Sequence, residues 1–178
     1  WSFAPHDVSM ILALAGALPA RVQAIGSRHL DAAVADVTST TLEFADGLSA
    51  YVFVSWLHPF KEQRLVVVGA DAMAVFDDGL PWVDKLVIQP CRVRLDEGGA
   101  VAERGAAERV ALEPVEPLLA QARHFLARVA DRAPPLTDGW EGLRVLAVLD
   151  AAERAMADAR PCAPWLPRDG APARAAGG

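Results

Sequence analysis

One histidine stands in a position that suits proton transfer, just inside a predicted helix. Pro5 fits the first helical position because its fixed φ is helical and it has no N–H group to leave unpaired. His6 then falls in the first turn, near free backbone N–H groups and the positive end of the helix dipole. That position favours the neutral imidazole, which can accept a proton near pH 7. His6 is therefore a candidate general base, although a lone histidine at this spacing more often only closes the start of a helix.

The other residues able to do chemistry give weaker signals. Asp7 follows His6 directly, but side chains of neighbouring residues in a helix project about 100° apart. Asp7 is therefore better placed to interact with the positive end of the helix dipole than to orient the imidazole. His6, Asp7 and His58 could be metal ligands, yet their spacing matches no known metal cage. Lys61 beside Glu62 is open to two interpretations, a substrate contact or an ordinary surface ion pair.

Motif searches return mostly negatives. The sequence contains no GxGxxG, GxxxxGK, GxSxG or HExxH segment, so it carries no phosphate loop, nucleophile elbow or zinc-protease helix. Cys91 and Cys162 have no CxxC neighbour, which predicts two reduced structural thiols.

Composition narrows the class of protein. The chain has 178 residues, 53% apolar and 22% charged, which is typical of one globular domain. A net charge of −6 argues against a nucleic-acid partner. The longest uncharged apolar run, residues 10–20, is far below the ~20 apolar residues that span a bilayer, and we find no secretory leader. These features predict a cytoplasmic protein without a membrane partner. Because the chain opens on Trp1, we expect a piece of a longer protein.

The elements that must position these residues follow from hydrophobic periodicity. The first fifteen residues predict a helix with an apolar stripe of Val8, Ile11, Leu12 and Ala15, ended by Gly16. A period of two then predicts about six strands, at 21–27, 34–44, 48–56, 62–69, 73–76 and 85–95, with a weaker candidate at 101–112. Asp-Gly pairs at 46–47 and 78–79 mark hairpin turns.

Two more helices are predicted near the carboxyl end. The first opens at Glu116-Pro117 and stops at Pro134-Pro135, and the second runs from an Asp138–Glu141 capping box to about residue 160. The predicted fold is α+β, a mostly antiparallel open-faced sheet with a leading helix and two C-terminal helices packed on one face. We expect one domain over 1–160 and a flexible tail over 161–178. Because the strands are apolar on both faces, a second copy of the chain is expected to cover the open face.

Four stretches, in order and spacing, resemble the second domain of the Gfo/Idh/MocA oxidoreductases. They are Trp1-Ser-Phe-Ala-Pro-His-Asp-Val-Ser9, Val54-Ser-Trp-Leu-His-Pro-Phe-Lys-Glu62, residues 68–78 (VGADAMAVFDD) and residues 136–146 (LTDGWEGLRVL). Within that family the chain is similar to nucleotide-sugar dehydrogenases that oxidise carbon 3 of a UDP-N-acetylglucosamine-type sugar.

The resemblance implies that two domains have separate roles. Relatives have an N-terminal Rossmann domain that binds NAD or NADP, and a C-terminal domain whose open sheet forms the substrate wall and the subunit interface. The family's histidine maps onto His6, the predicted catalytic base, with Ser2, Phe3, Asp7 and Lys61 as predicted substrate contacts. Many relatives have an aspartate where this sequence has Ser2, so the family's Asp–His pairing does not carry over.

The predicted function is therefore the substrate-binding and oligomerisation domain of an NAD(P)-dependent sugar or nucleotide-sugar dehydrogenase. The chain alone is expected to be inactive, because the glycine-rich cofactor loop is missing. The alternative is a non-catalytic small-molecule-binding or scaffold module that keeps the same sheet.

Overall fold

The computed structural model describes residues 3–60 and 62–167. Its elements, in chain order, are α1 (Ala4–Ala15), β1 (Arg21–Ser27), β2 (Val37–Glu43), β3 (Ser49–Ser55), β4 (Arg64–Val68), β5 (Ala72–Asp77), β6 (Leu86–Asp96), β7 (Gly99–Arg104), β8 (Glu108–Arg109), α2 (Pro117–Asp131) and α3 (Gly139–Asp158). A short 3-10 helix covers Trp82–Asp84. They divide into two compact units, residues 1–58 with 132–178 and residues 59–131.

The leading helix begins and ends as its sequence predicts. Pro5 lies in the first helical positions of α1, where its missing N–H group costs nothing. Gly16 ends the helix in the left-handed conformation at φ 67°, and its N–H group donates to Leu12 O at 3.0 Å. Val8 and Leu12 of the predicted stripe are each only 2% exposed. The apolar side of α1 therefore faces a core, and the first turn of α1 lies at the edge of that core.

That core lies between two helices and a three-stranded antiparallel sheet ordered β1-β2-β3. The register pairs Val22 with Leu42 and Leu42 with Ala50, so these side chains share the inner face. Helix α3 packs against β1 and α1, and α1 also contacts β3. Val22, Leu42 and Val148 are fully buried where the layers meet.

Helix α3 is anchored at its start by the predicted cap. Asp138 Oδ1 accepts hydrogen bonds from the backbone N–H groups of Trp140 at 2.9 Å and Glu141 at 3.0 Å. An aspartate at this position also complements the helix dipole. The Asp138 side of the predicted capping box is confirmed.

The second unit is built on a separate five-stranded antiparallel sheet, β4-β5-β6-β7, with β8 paired to β6. Lys85, 9% exposed, donates from Nζ to Asp78 Oδ1 at 2.5 Å and lies 4.7 Å from the Trp82 ring. The α+β antiparallel class is thus confirmed. The strand count differs: residues 3–60 and 62–167 contain eight strands in two sheets rather than about six in one, because β7 and β8 lie in and around the weak 101–112 candidate.

Helix α2 has an apolar stripe but buries none of its residues. Leu118, Phe125 and Val129 are 71%, 66% and 51% exposed. We predicted that this stripe faces inward. Periodicity correctly identified an apolar side, but the described residues of this chain leave that side uncovered.

The predicted flexible tail begins at residue 161, and its first residues contact the sheet. Cys162 pairs with Val22 in an isolated antiparallel bridge, with N–H to O distances of 2.7 and 2.8 Å. Residues 168–178 of that segment lie outside the described ranges, and the domain boundary at residue 160 stays a prediction. Cys91 and Cys162 both carry free thiols and are half-buried. None of the helices in the described ranges combines the length and apolar character needed to cross a membrane.

Candidate functional site at the start of the first helix

His6 lies in the first turn of α1, and its side chain is exposed. Its backbone N–H group donates to the carbonyl oxygen of Phe3, the N-cap residue, at 3.3 Å. An exposed imidazole at a helix start is accessible to a ligand, which a base needs. The placement predicted from the sequence is therefore reproduced, and the catalytic role stays a prediction.

Asp7 is half-buried next to His6. Burial raises the pKa of Asp7 above its ordinary value, and the neighbouring His6 acts in the opposite direction. The Asp7 carboxyl group is thus partly desolvated. Its contact with a substrate stays a prediction.

Two aromatic rings meet where α1 starts and β3 ends. The centroids of Phe3 and Trp56 lie 5.1 Å apart at an interplanar angle of 49°. Both rings are partly open to solvent, 44% and 59% exposed. Such a tilted pair presents an apolar wall with ring faces and edges available to a ligand. Sequence reasoning named Phe3 but gave Trp56 no role, although Trp56 lies inside a stretch that carries the family resemblance.

A cavity of about 300 Å³ opens beside this ring pair. We call it the loop cavity, because residues 28–36 between β1 and β2 form one wall. Its lining residues come from α1, the β1–β2 loop, the sheet and α3: Phe3, Ala4, Arg28, Ala33, Val34, Ala35, Asp36, Thr38, Val54, Trp56, Glu153, Met156 and Ala157. Segments far apart in the sequence build it, so no local pattern could predict it.

Asp36 holds the loop wall of this cavity in place. Its Oδ2 accepts hydrogen bonds from the backbone N–H groups of His29 and Leu30, both at 2.6 Å. Its backbone N–H group donates to Ser27 O at 3.0 Å, and its carbonyl oxygen accepts from Trp56 N at 2.9 Å. Burial raises the pKa of Asp36, but the Leu30 and His29 bonds outweigh it and leave the pKa below its usual value. An aspartate before a strand rich in threonine, after a polar loop, is the sequence signal that could have found it.

A second cavity, of about 420 Å³, lies between α1 and α3. Pro5, Val145 and Leu149 are among its mainly apolar lining residues. His6 lines neither cavity.

The remaining predicted site residues are not brought together. Ser2 and Lys61 lie outside the described residues, so their predicted substrate contacts stay predictions. The His58 ring packs on Phe53 with centroids 5.8 Å apart. Within residues 3–60 and 62–167 no group of three His, Cys, Asp or Glu side chains could hold a metal ion.

Comparison with known proteins finds a likeness to one family in the first part of the chain. Residues 1–75 match the GFO/IDH/MocA C-terminal domain. The predicted resemblance is confirmed. The matched segment contains α1, the β1–β3 sheet, the β1–β2 loop and the Phe3–Trp56 pair. No curated protein sequence matches the chain significantly.

Solved structures extend the likeness to most of the fold. UDP-N-acetylglucosamine 3-dehydrogenase GnnA from Acidithiobacillus ferrooxidans is 23% identical with a TM-score of 0.69, over 86% of this chain and 45% of that one. Aldose-aldose oxidoreductase from Caulobacter crescentus, complexed with glycerol, is 20% identical with a TM-score of 0.70, over 90% and 45%. The WlbA dehydrogenase from Bordetella pertussis, in complex with NADH and UDP-GlcNAcA, is 20% identical with a TM-score of 0.64, over 93% and 44%. The chain spans about half the length of these proteins, and the likeness shows a shared fold.

Proposed function

We propose that this chain is the substrate-binding and oligomerisation part of an NAD(P)-dependent sugar or nucleotide-sugar dehydrogenase. The specific candidate reaction removes hydride from carbon 3 of a UDP-N-acetylglucosamine derivative. The observation that carries the proposal is an exposed histidine in the first turn of α1, inside the segment that matches an oxidoreductase family.

His6 has a simple role in such a reaction. Oxidation of a carbinol removes a hydride from carbon and a proton from the hydroxyl oxygen. The imidazole takes that hydroxyl proton, so that negative charge does not build up on oxygen as the carbonyl forms. General-base assistance of this kind accelerates reactions roughly 10²–10⁴-fold. Phe3, one turn away, offers an apolar surface for the substrate ring.

This chain by itself has no segment suited to bind the pyrophosphate of NAD or NADP. Neither the sequence nor the described loops provide the glycine-rich turn into a helix that cradles a pyrophosphate. We therefore assign NAD or NADP to an N-terminal Rossmann domain of the longer protein, which is the partner of this chain. The isolated chain is then inactive, because the hydride has no acceptor.

The exposed apolar faces support a homo-oligomer. Ile25, Tyr51 and Phe53 share the outer face of the three-stranded sheet and are 74%, 77% and 58% exposed. In the second unit, Val68 and Leu95 are 74% and 85% exposed. Large apolar side chains in such number indicate association surfaces. Sedimentation of the chain is expected to show a dimer or larger, and Tyr51→Lys with Phe53→Lys is expected to shift it toward the monomer. The cytoplasmic location stays a prediction.

The test compares His6→Asn in the full-length protein with the unchanged enzyme. With UDP-N-acetylglucosamine and NAD, we expect kcat to fall about 10²–10⁴-fold while the unfolding temperature is unchanged, since the side chain is exposed. The matched control is His124→Asn, the same substitution on α2, which is expected to retain activity. Equal loss of rate and of stability in His6→Asn would return His6 to a structural role.

One observation favours the alternative of a non-catalytic small-molecule-binding or scaffold module. His6 lines neither cavity, whereas a ligand-sized cavity exists without it. The coding sequence upstream of Trp1 separates the two possibilities. A strand followed by GxGxxG supports the enzyme, and its absence supports the module.

A further inference from the structure

Two partly exposed aromatic rings form one wall of the loop cavity. Phe3 and Trp56 both line it, and their ring centroids lie 5.1 Å apart. The backbone of Trp56 is held in place because its N–H group donates to Asp36 O at 2.9 Å. Aromatic side chains stabilise a fold chiefly through the apolar area they bury, yet 59% of Trp56 stays open to solvent. The wall is therefore a fixed surface on which a flat ring of a ligand can stack.

Arg28 supplies the positive charge of the cavity lining. In the part of the chain that the structure describes, its side chain makes no ion pair or hydrogen bond. The carboxylates of Asp36 and Glu153, which also line the cavity, are engaged within the chain. Asp36 Oδ2 accepts two backbone N–H groups of the loop, and its Oδ1 is closed to solvent. Glu153 interacts with a further group of the chain. The guanidinium is thus available to an anion, and its fork of donors suits phosphate in particular.

An aromatic wall beside an available guanidinium matches the two parts of a nucleotide. A base has two flat faces that stack on aromatic side chains, and its phosphates carry negative charge. A volume of about 300 Å³ is at the small end of ligand pockets, so the cavity suits one end of a nucleotide sugar rather than the whole molecule. A free sugar, by contrast, offers no charge to Arg28.

We propose that the loop cavity binds the nucleoside diphosphate end of the substrate, with the base on the Phe3–Trp56 pair and the diphosphate on Arg28. The sugar end then extends toward the first turn of α1, where His6 is exposed. This inference rests on the proposed function and narrows its substrate class from sugars in general to nucleotide sugars. Trp56 and Arg28 are the residues that make this selection.

The binding test uses fragments of the substrate and needs no turnover. UDP, uridine and N-acetylglucosamine are titrated separately into the 178-residue chain, and two-dimensional NMR follows the backbone and indole N–H signals of Trp56. We expect saturable shifts with UDP, shifts with uridine at about tenfold higher concentration because the charge-assisted bonds are missing, and none with N-acetylglucosamine. No saturable response to UDP, or a response to N-acetylglucosamine equal to that of UDP, would overturn the proposal.

Two substitutions at exposed positions separate the base from the phosphate. Trp56→Leu is expected to weaken the binding of UDP and uridine alike, about tenfold, whereas Trp56→Phe keeps a ring and should retain most of the affinity. Arg28→Gln is expected to weaken UDP binding about tenfold and to leave uridine binding unchanged. The matched control is Arg123→Gln, at an exposed position of α2 outside the cavity, which should change neither affinity. Unchanged UDP affinity in Trp56→Leu or in Arg28→Gln would refute the proposal.

The result is separable from the test of His6. If the chain binds UDP as expected while His6→Asn keeps its rate, the catalytic assignment fails and the assignment of the cavity stands. If the full-length enzyme oxidises a free sugar while the chain does not bind UDP, the assignment of the cavity fails and the catalytic one stands.

Discussion

Gly26 lies where α3 approaches the sheet closely, and a single added methyl group there should lower the free energy of unfolding. It faces inward on β1 together with Val22 and Ala24, and it pairs with Thr38. A Cβ at this position would stand 2.8 Å from Met156 Sδ and 2.9 Å from Ala35 Cβ. Both distances are far inside van der Waals contact. Met156 is a flexible side chain and can yield, whereas the Ala35 methyl moves only with its backbone.

The magnitude follows from two opposing effects. Overpacking of this kind costs roughly 1–3 kcal/mol. Replacing glycine by alanine also restricts the unfolded chain and returns about 0.4–1 kcal/mol. We therefore expect Gly26→Ala to lower the free energy of unfolding by about 1–2 kcal/mol. For a chain of this size that corresponds to a fall of roughly 2–8 °C in the unfolding temperature.

The assay is thermal and urea unfolding followed by circular dichroism, with Gly142→Ala as the control. Gly142 lies within α3 and has open space around its added Cβ, so the same substitution is expected to stabilise by about 0.5–1 kcal/mol. The two variants should shift in opposite directions. Adding Met156→Ala to Gly26→Ala should recover part of the loss, with Met156→Ala alone as the reference. An unfolding temperature for Gly26→Ala at or above that of the unchanged chain would refute the close approach.

Three further predictions concern charge and capping. Because burial raises the pKa of Asp7 in the folded chain, its ionisation opposes folding above that pKa, and Asp7→Asn should raise the unfolding temperature at neutral pH. Hydrogen bonds from Arg21 and Arg64 lower the pKa values of Glu43 and Asp77 in the folded chain. The stability they contribute is therefore present above the pKa values of the unfolded chain and is lost as the pH falls through those of the folded chain. Urea unfolding from neutral to acid pH tests this, and Glu43→Gln should reduce the dependence of stability on pH. Asp138→Ala should cost about 0.5–2 kcal/mol in thermal unfolding, with Asp138→Ser recovering most of it.

The sequence determined the parts of the fold that depend on neighbours along the chain. Pro5 and Gly16 set the ends of α1, and Asp138 sets the start of α3, because caps and turns depend on a few adjacent residues. The predicted second strand began at residue 34, yet β2 begins at Val37. Asp36 explains the difference: its side chain bonds back to His29 and Leu30 of the loop, so the strand begins three residues later than hydrophobicity indicates.

What the sequence could not supply is the layer that covers each apolar surface. The period of α2 correctly identified an apolar side, but nothing in a period says what lies against it. The same limit applies to the division into a three-stranded and a five-stranded sheet, since pairing partners depend on distant segments. The loop cavity is the extreme case. Its walls combine Phe3, Asp36 and Glu153, which are separated by more than a hundred residues at the widest.

The direction of the chain explains why these residues nevertheless meet. Strand β1 ends at Ser27 and β3 ends at Ser55, and the antiparallel register places both ends beside the start of β2. The Phe3–Trp56 contact brings the start of α1 to that same edge. His6, one turn further along α1, is therefore presented at the edge where the loop cavity lies, although it does not line it. His6 at this edge and Asp36 in the adjoining cavity can be altered separately.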